Sequence, residues 1–136
     1  MKRVITLLMV LFSISSLHAT EPTTVYCTIS GSHLATTPNG YIGQVDIDFG
    51  ESQSSRDYLV DESGKRLNFD SMIAVLNYMS KAGWQLESTY TRFAPSIIKD
   101  SGLDKYVIVM ILSKRVTSEE QIAEGICTHK IYKSRD

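Results

Sequence analysis

The chain has 136 residues, with 14 Lys and Arg against 15 Asp and Glu, a formal net charge of −1 at pH 7 and 43% hydrophobic residues. This length predicts one domain that can bury a modest core. Because no basic stripe runs through the sequence, nucleic acid is not an expected partner.

Residues 1–19 have the layout of a secretory signal peptide. Lys2 and Arg3 give a positive start, and the apolar run Val4–Ile14 follows. That run is shorter than the roughly 20 residues that cross a bilayer, so we expect export and cleavage after Ala19 rather than a membrane anchor. The mature domain is then 20–136, in the periplasm or outside the cell, with no membrane span of its own.

Two strands are predicted in the first part of the mature domain. Thr24–Ser30 is rich in β-branched and aromatic residues and ends at Gly31. After a turn at Pro38-Asn39-Gly40, Tyr41–Phe49 alternates between apolar and polar residues, which is typical of a half-buried strand. Its apolar face is Val45, Ile47 and Phe49, and its polar face is Gln44, Asp46 and Asp48. A tight hairpin, or a strand with a turn, is expected next, with the turn at 62–65.

A helix is predicted at about 69–82, because apolar residues recur there at spacings of three and four. These residues are Phe69, Met72, Ile73, Leu76, Met79 and Ala82. Asn68 or Asp70 can cap its start, and Lys81 suits the negative end of the helix dipole. Gly83 is the expected residue after the helix, since a left-handed backbone is easiest without a Cβ.

The next strand, Trp84–Phe93, is predicted to begin directly after Gly83. Simple alternation places Trp84, Leu86 and Tyr90 on one face, and Gln85, Glu87, Thr89 and Thr91 on the other. We then expect the Trp84 indole to cover the end of the helix as a core anchor, with a binding platform as the alternative.

The run Tyr106–Leu112 is apolar on both faces. It predicts a central strand that is covered on both sides, or covered on one side and paired with another subunit on the other. Thr117 and Glu120 have the spacing of a capping box, which predicts a short helix through Ala123. The segment after Gly125 is expected to be a last strand or an extended tail. Together these elements predict an α+β fold, an antiparallel sheet with one main helix on one face and a short C-terminal helix.

Several segments resemble a group of small secreted proteins of unknown function from gut anaerobes. The resemblance covers 26–115 and rests on the segments YCTISG, VDIDFGES, LVDESGKRLNFDSMIAVLNYMSKAGWQLESTY and KYVIVMILSKR. In that group too, a Met-rich helix runs into Gly-Trp, as it does at Gly83-Trp84. The resemblance implies export and an α+β fold. It implies no activity and assigns no catalytic or binding residue.

The chain has two cysteines, Cys27 and Cys127, near opposite ends of the mature domain. An exported protein meets oxidising conditions and an even number of cysteines permits a bridge, so a disulfide between them is one expectation. The alternative is two unpaired, buried thiols that act as small hydrophobic side chains. Neither cysteine has the sequence context of a catalytic nucleophile.

The motifs of the common enzyme classes are absent from the sequence. There is no G-x-S-x-G, no phosphate-binding glycine motif and no Cys-x-x-Cys pair. Asp46 and Asp48 are spaced like the start of a calcium loop, but the positions after them do not match, so we expect them on the wet face of a strand. His33 and His129 are expected to be exposed or hydrogen-bonded side chains. We therefore predict no metal, no cofactor and no enzyme activity.

The first functional hypothesis is an exported, non-catalytic domain that binds another envelope protein or a second copy of itself. It rests on the leader, the missing catalytic motifs and the doubly apolar run Tyr106–Leu112. The alternative is a small-molecule-binding protein with a pocket between helix and sheet, near Tyr78, Trp84 and Tyr90. A hydrolase is a third and less favoured hypothesis.

Overall fold

The computed structural model of the protein describes residues 20–34, 42–51, 57–94 and 105–135. The predicted leader and the predicted turn at Pro38-Asn39-Gly40 lie outside these residues, and both stay predictions.

An antiparallel sheet with helices confirms the α+β class. The strands are β1 (Thr23–Leu34), β2 (Ile42–Asp48), β3 (Gln85–Ala94) and β4 (Lys105–Val116), in the order β2-β1-β4-β3. All neighbouring strands are antiparallel. The central strands are therefore β1 and β4, and β3 is an end strand.

The two faces of the sheet have different environments. The helix face packs against the main helix and contributes to the core the residues Cys27, Ile29, Val45, Ile47, Met110 and Leu112. Because successive residues of a strand alternate, the other face, here called the far face, carries Thr28, Ser30, Val107, Val109 and Ile111. The predicted apolar and polar faces of β2 are confirmed, since Val45 and Ile47 are buried while Gln44 and Asp48 are exposed.

Of the two alternatives for Tyr106–Leu112, cover on both sides is the one observed. Val107 and Val109 on the far face are 8% and 5% exposed, and Ile111 is half-buried. The expectation that a bare second face needs another subunit therefore fails at these positions.

The main helix, α1 (Met72–Lys81), begins later than predicted. Its N-cap is Ser71 rather than Asn68 or Asp70. Ser71 has an extended backbone, and its Oγ accepts the N–H of Ala74 at 3.1 Å. This bond satisfies one of the free donors of the first turn.

Gly83 ends the helix as predicted, with φ of +87°. The N–H of Gly83 donates to the carbonyl of Ser80 at 3.0 Å, and the N–H of Trp84 donates to that of Met79 at 3.2 Å. Trp84 is 1% exposed, which agrees with its predicted role as a core anchor.

Strand β3 departs from simple alternation at Glu87. The register passes from Leu86 opposite Leu112 to Ser88 opposite Ile111, which leaves Glu87 as one extra residue. This is a β-bulge, in which two residues of one strand face one residue of its neighbour.

The bulge reverses the predicted faces of the rest of β3. Tyr90 lies opposite Val109 on the far face, and Thr89 lies opposite Met110 on the helix face. The prediction that Tyr90 shares a face with Trp84 is therefore wrong, because one inserted residue moves every following side chain to the other face.

The C-terminal segment agrees with prediction in part, since a short helix forms before Ala123 as expected. The capping box does not form, because the N–H and Oγ1 of Thr117 both bond to Oε1 of Gln121, and a short 3-10 helix spans Glu119–Ile122. A second helix, α2 (His129–Lys133), stands where a strand or tail was expected. Oγ1 of Thr128 caps its start.

The predicted hairpin turn is confirmed. Val60 bridges to Arg66, and Gly64 has φ of +78°. A hydrogen bond from the Ser63 hydroxyl and further bonds from backbone N–H groups hold the pKa of Asp61 below its ordinary value. The carboxylate therefore stabilises the turn by accepting bonds from it.

Candidate functional site

Tyr78, Trp84 and Tyr90 do not form one pocket. Trp84 is enclosed in the core, with the ring of Phe49 at 5.9 Å and the ammonium of Lys114 at 5.9 Å from the indole centre. Tyr90 is 50% exposed and lies on the far face. The bulge in β3 thus separates two residues that the sequence placed together.

Tyr78 belongs to the helix side of the molecule. Its ring meets Phe69 edge-on at 5.6 Å, and burial, together with the nearby Cys127, raises its pKa. A raised pKa keeps the phenol neutral at physiological pH. Tyr78 thus packs against the core from its rim.

Both cysteines are free thiols in the structure. Cys27 lies in β1 and is 3% exposed, and burial, with a smaller effect of Asp48, raises its pKa to about 12. Cys127 is half-buried, and its thiol lies 3.7 Å from the carbonyl of Thr128. A buried, protonated thiol is a poor nucleophile. Their oxidation to a disulfide stays a prediction.

His129 is held by aromatic and backbone contacts. Its ring stacks on Tyr58 at 4.7 Å, and the guanidinium of Arg66 lies 3.6 Å from the centre of the same Tyr58 ring. Oδ1 of Asp57 accepts the N–H groups of Tyr58 and Lys130, and Nδ1 of His129 is buried without a hydrogen-bond partner among the described residues. These contacts fix the start of α2, and no described side chain hydrogen-bonds to the imidazole. The side chain of His33 lies outside the described residues.

A groove of about 810 Å³ runs along the far face and the end of β2. Its lining carries carboxylates, hydroxyl groups and two cations, among them Asp46, Asp48, Arg92 and Lys130. Tyr78, Trp84 and Tyr90 do not line it. Within the described ranges, no group of three or more His, Cys, Asp or Glu side chains could hold a metal ion. The groove thus has a lining of mixed charge.

Strand β3 presents the clearest binding surface. Every residue from Gln85 to Phe93 is exposed, on both faces of the strand. In the part of the chain that the structure describes, β3 pairs with β4 alone, whereas β2 at the other end gains a bridge between Ile47 and Asp57. The outer side of β3 therefore offers main-chain donors and acceptors to another strand.

One side-chain bond identifies which backbone groups of β3 point outward. Oγ1 of Thr89 donates to the carbonyl of Val109 at 3.2 Å, so that carbonyl faces β3. In an antiparallel ladder, Tyr90 and the opposite Val109 then form a hydrogen-bonded pair, and the residues on either side of Tyr90 point their backbone groups away. The N–H groups of Thr89 and Thr91 face the open edge.

Natural edge strands are often protected by Lys or Pro, and β3 contains neither. Its charged residues are Glu87, whose Oε1 accepts from the Ser113 hydroxyl, and Arg92, which forms no ion pair with another described residue. Large apolar side chains are also exposed here, with Leu86 at 43% and Phe93 at 52%. The edge is thus open, lightly charged and partly apolar.

Comparisons with known proteins give no match to the chain. No family model matches it, and neither a curated protein nor a solved structure was found to be similar. No helix among the described residues is long and apolar enough to cross a membrane.

Sequence reasoning did not single out β3 as a binding edge. The residue types were visible, since the segment Gln85–Ala94 is rich in Thr, Tyr and Phe and lacks Lys and Pro. Such residues favour strands but do not state which strand ends the sheet. The strand order supplied the missing information.

Proposed function

We propose that the protein is an exported, non-catalytic interaction domain that binds an extended protein segment along the outer edge of β3. The observation that carries this proposal is the exposure of β3 along its length, with β4 as its one described neighbour. Added strands bind mainly through backbone hydrogen bonds, and side chains on alternate positions supply specificity.

Export is the part of the proposal that comes from the sequence. Residues 1–19 have the charge and apolar pattern of a secretory leader, so the expected location is the periplasm or the exterior. Another envelope protein is the kind of partner available there.

The chemistry of the described side chains supports a non-catalytic role. Cys27 is protonated and buried, and the imidazole of His129 stacks on Tyr58 without a hydrogen bond to any described side chain. The alternative of a small-molecule pocket between helix and sheet is less favoured, because Trp84 is buried in the core and Tyr90 lies on the other face of the sheet.

The test uses one substitution that removes an outward N–H. Thr91→Pro deletes that donor and leaves the β4 ladder in place, since proline is tolerated on an open edge. Thr91→Val keeps the N–H and is the matched control. The exported protein, tagged at its C-terminus, is used to capture partners from native envelope, and bound proteins are measured by quantitative mass spectrometry.

We expect a partner that is retained by wild type and Thr91→Val and lost from Thr91→Pro, with closely similar melting temperatures for the three proteins. Equal retention by all three would refute the edge as the binding site. A partner lost equally from both variants would place binding in the Thr91 side chain and contradict main-chain pairing.

A further inference from the structure

We infer that the segment that binds β3 is the β3 strand of a second copy, paired antiparallel about Tyr90; this inference rests on the function proposed above and names its partner. The result is one continuous sheet that runs through two copies. Symmetry, backbone direction and charge each constrain the pairing.

Symmetry limits how β3 can pair with itself. Two antiparallel copies of one edge strand are related by a two-fold axis normal to the sheet, which keeps the helix faces of both copies on the same side. The axis must then pass beside one residue, so that this residue faces its own copy. In a register centred on Tyr90, Thr89 faces Thr91 of the second copy.

The backbone directions fit that register. Thr89 and Thr91 are the residues whose N–H and carbonyl groups point outward, as the bond from Thr89 Oγ1 to Val109 indicates. They can therefore exchange both main-chain bonds across the axis. Tyr90 then meets Tyr90 of the second copy as a pair without hydrogen bonds, where side chains come closest and aromatic pairs are favourable.

The charges of β3 also favour that register. Arg92 of one copy faces Ser88 of the second copy, and Glu87 of the second copy lies directly beside that Ser88. Arg92 is on the far face because it lies opposite Val107, and Glu87 is there because it bonds to Ser113. The two-fold axis repeats this contact, so the interface holds two pairs of opposite charge.

Neighbouring registers lose the charge pairing. A centre at Thr91 places Arg92 opposite Tyr90 of the second copy and leaves Glu87 beyond the paired residues. A centre at Thr89 sets Thr91 opposite the bulge residue Glu87, where regular pairing is interrupted. Charge complementarity therefore selects the centre at Tyr90.

The test is sedimentation equilibrium of the exported protein over a range of concentrations. A small strand-edge interface is expected to have a dissociation constant on the order of 10 µM. Arg92→Glu and Glu87→Arg should each weaken the dimer about tenfold, because each replaces two attractive pairs with two repulsive ones. The double variant restores opposite charges and should return the dissociation constant to within about threefold of wild type.

Arg115→Glu is the control for net charge, since Arg115 is exposed on β4 opposite Thr24 of β1, away from the edge. It should leave the dissociation constant unchanged. An equal weakening by Arg115→Glu, or a double variant as weak as the single ones, would overturn the register.

Failure of this inference and failure of the proposed function give different results. A wild-type protein that stays monomeric at about 100 µM, while Thr91→Pro still loses an envelope partner, would refute self-pairing and leave the interaction domain standing. A dimer that survives Thr91→Pro unchanged would show that the copies do not pair through β3 and would overturn the inference.

Discussion

Gly31 offers a direct test of how α1 is seated on the sheet. A Cβ built at Gly31 would lie 2.5 Å from Sδ of Met72 and 2.8 Å from Cγ2 of Ile42. Distances this short require the neighbours to move, and Ile42 is β-branched and has little rotamer freedom. Gly31→Ala should therefore separate α1 from β1 slightly, or force Met72 into another rotamer.

The magnitude follows from two opposing effects. Overpacking a well-packed core costs about 1–3 kcal/mol. The lower backbone entropy of Ala in the unfolded chain returns about 0.4–1 kcal/mol. The net loss is then about 1–2 kcal/mol, which corresponds to a fall in melting temperature of about 4–8 °C for a domain of this size.

The assay is thermal unfolding followed by circular dichroism, with Ser30→Ala as the control on the far face of the same strand. Met72→Val removes the sulfur that is closest to the new Cβ, so Gly31→Ala should cost at least about 0.5 kcal/mol less in that background. A melting temperature for Gly31→Ala that equals or exceeds that of wild type would refute the close approach of α1 to β1.

Three further predictions concern the helix cap and the thiols. Ser71→Ala should lower the stability by about 1 kcal/mol in urea unfolding, because the N–H of Ala74 loses its acceptor, whereas Ser80→Ala in the exposed last turn should change it by less than about 0.5 kcal/mol. Alkylation in urea without reductant, read by intact mass, should add two labels if the thiols are free and none if Cys27 and Cys127 are bridged. In native buffer, a protein with free thiols should keep Cys27 unlabelled. The pKa of Cys27 is raised from 9.0 to about 12, so its contribution to stability is present below pH 9 and is lost as pH rises from 9 towards 12. Cys27→Ala removes this titrating thiol, so its urea midpoint should fall less than that of wild type as pH rises from 9 towards 12. An equal fall in both proteins would contradict the raised pKa.

Local chemistry predicted the parts of the fold that depend on few neighbours. Gly83 ends α1 because a left-handed residue is needed there, and this requirement is visible in the sequence. The alternation of β2 predicted its two faces because one side of that strand is buried and the other is wet.

Choices among equivalent residues were not predictable. Asn68, Asp70 and Ser71 can all cap a helix. The structure uses Ser71, and the first helical residue, Met72, is buried beside Gly31. The second helix, α2, was missed for a similar reason. It depends on Thr128, which is fully buried and bridged to Leu59 far along the chain.

The candidate site required both the strand order and the bulge. Trp84 and Tyr90 are six positions apart in the sequence, an even spacing that predicts one shared face in a regular strand. Nothing in the residue type of Glu87 indicates an extra residue there. The register on both sides of it, set by Leu86 opposite Leu112 and Tyr90 opposite Val109, requires the bulge.

The bulge also connects the core of the protein to its proposed binding edge. Before it, Trp84 points to the helix face, where it is buried in the core. Without the extra residue, Tyr90 and Arg92 would follow the indole onto that face. With Glu87 inserted, they lie instead on the far face together with the Glu87 carboxylate, which is held there by Ser113. One inserted residue thus allows the same strand to anchor the core at its start and to carry an opposite-charge pair on its exposed part.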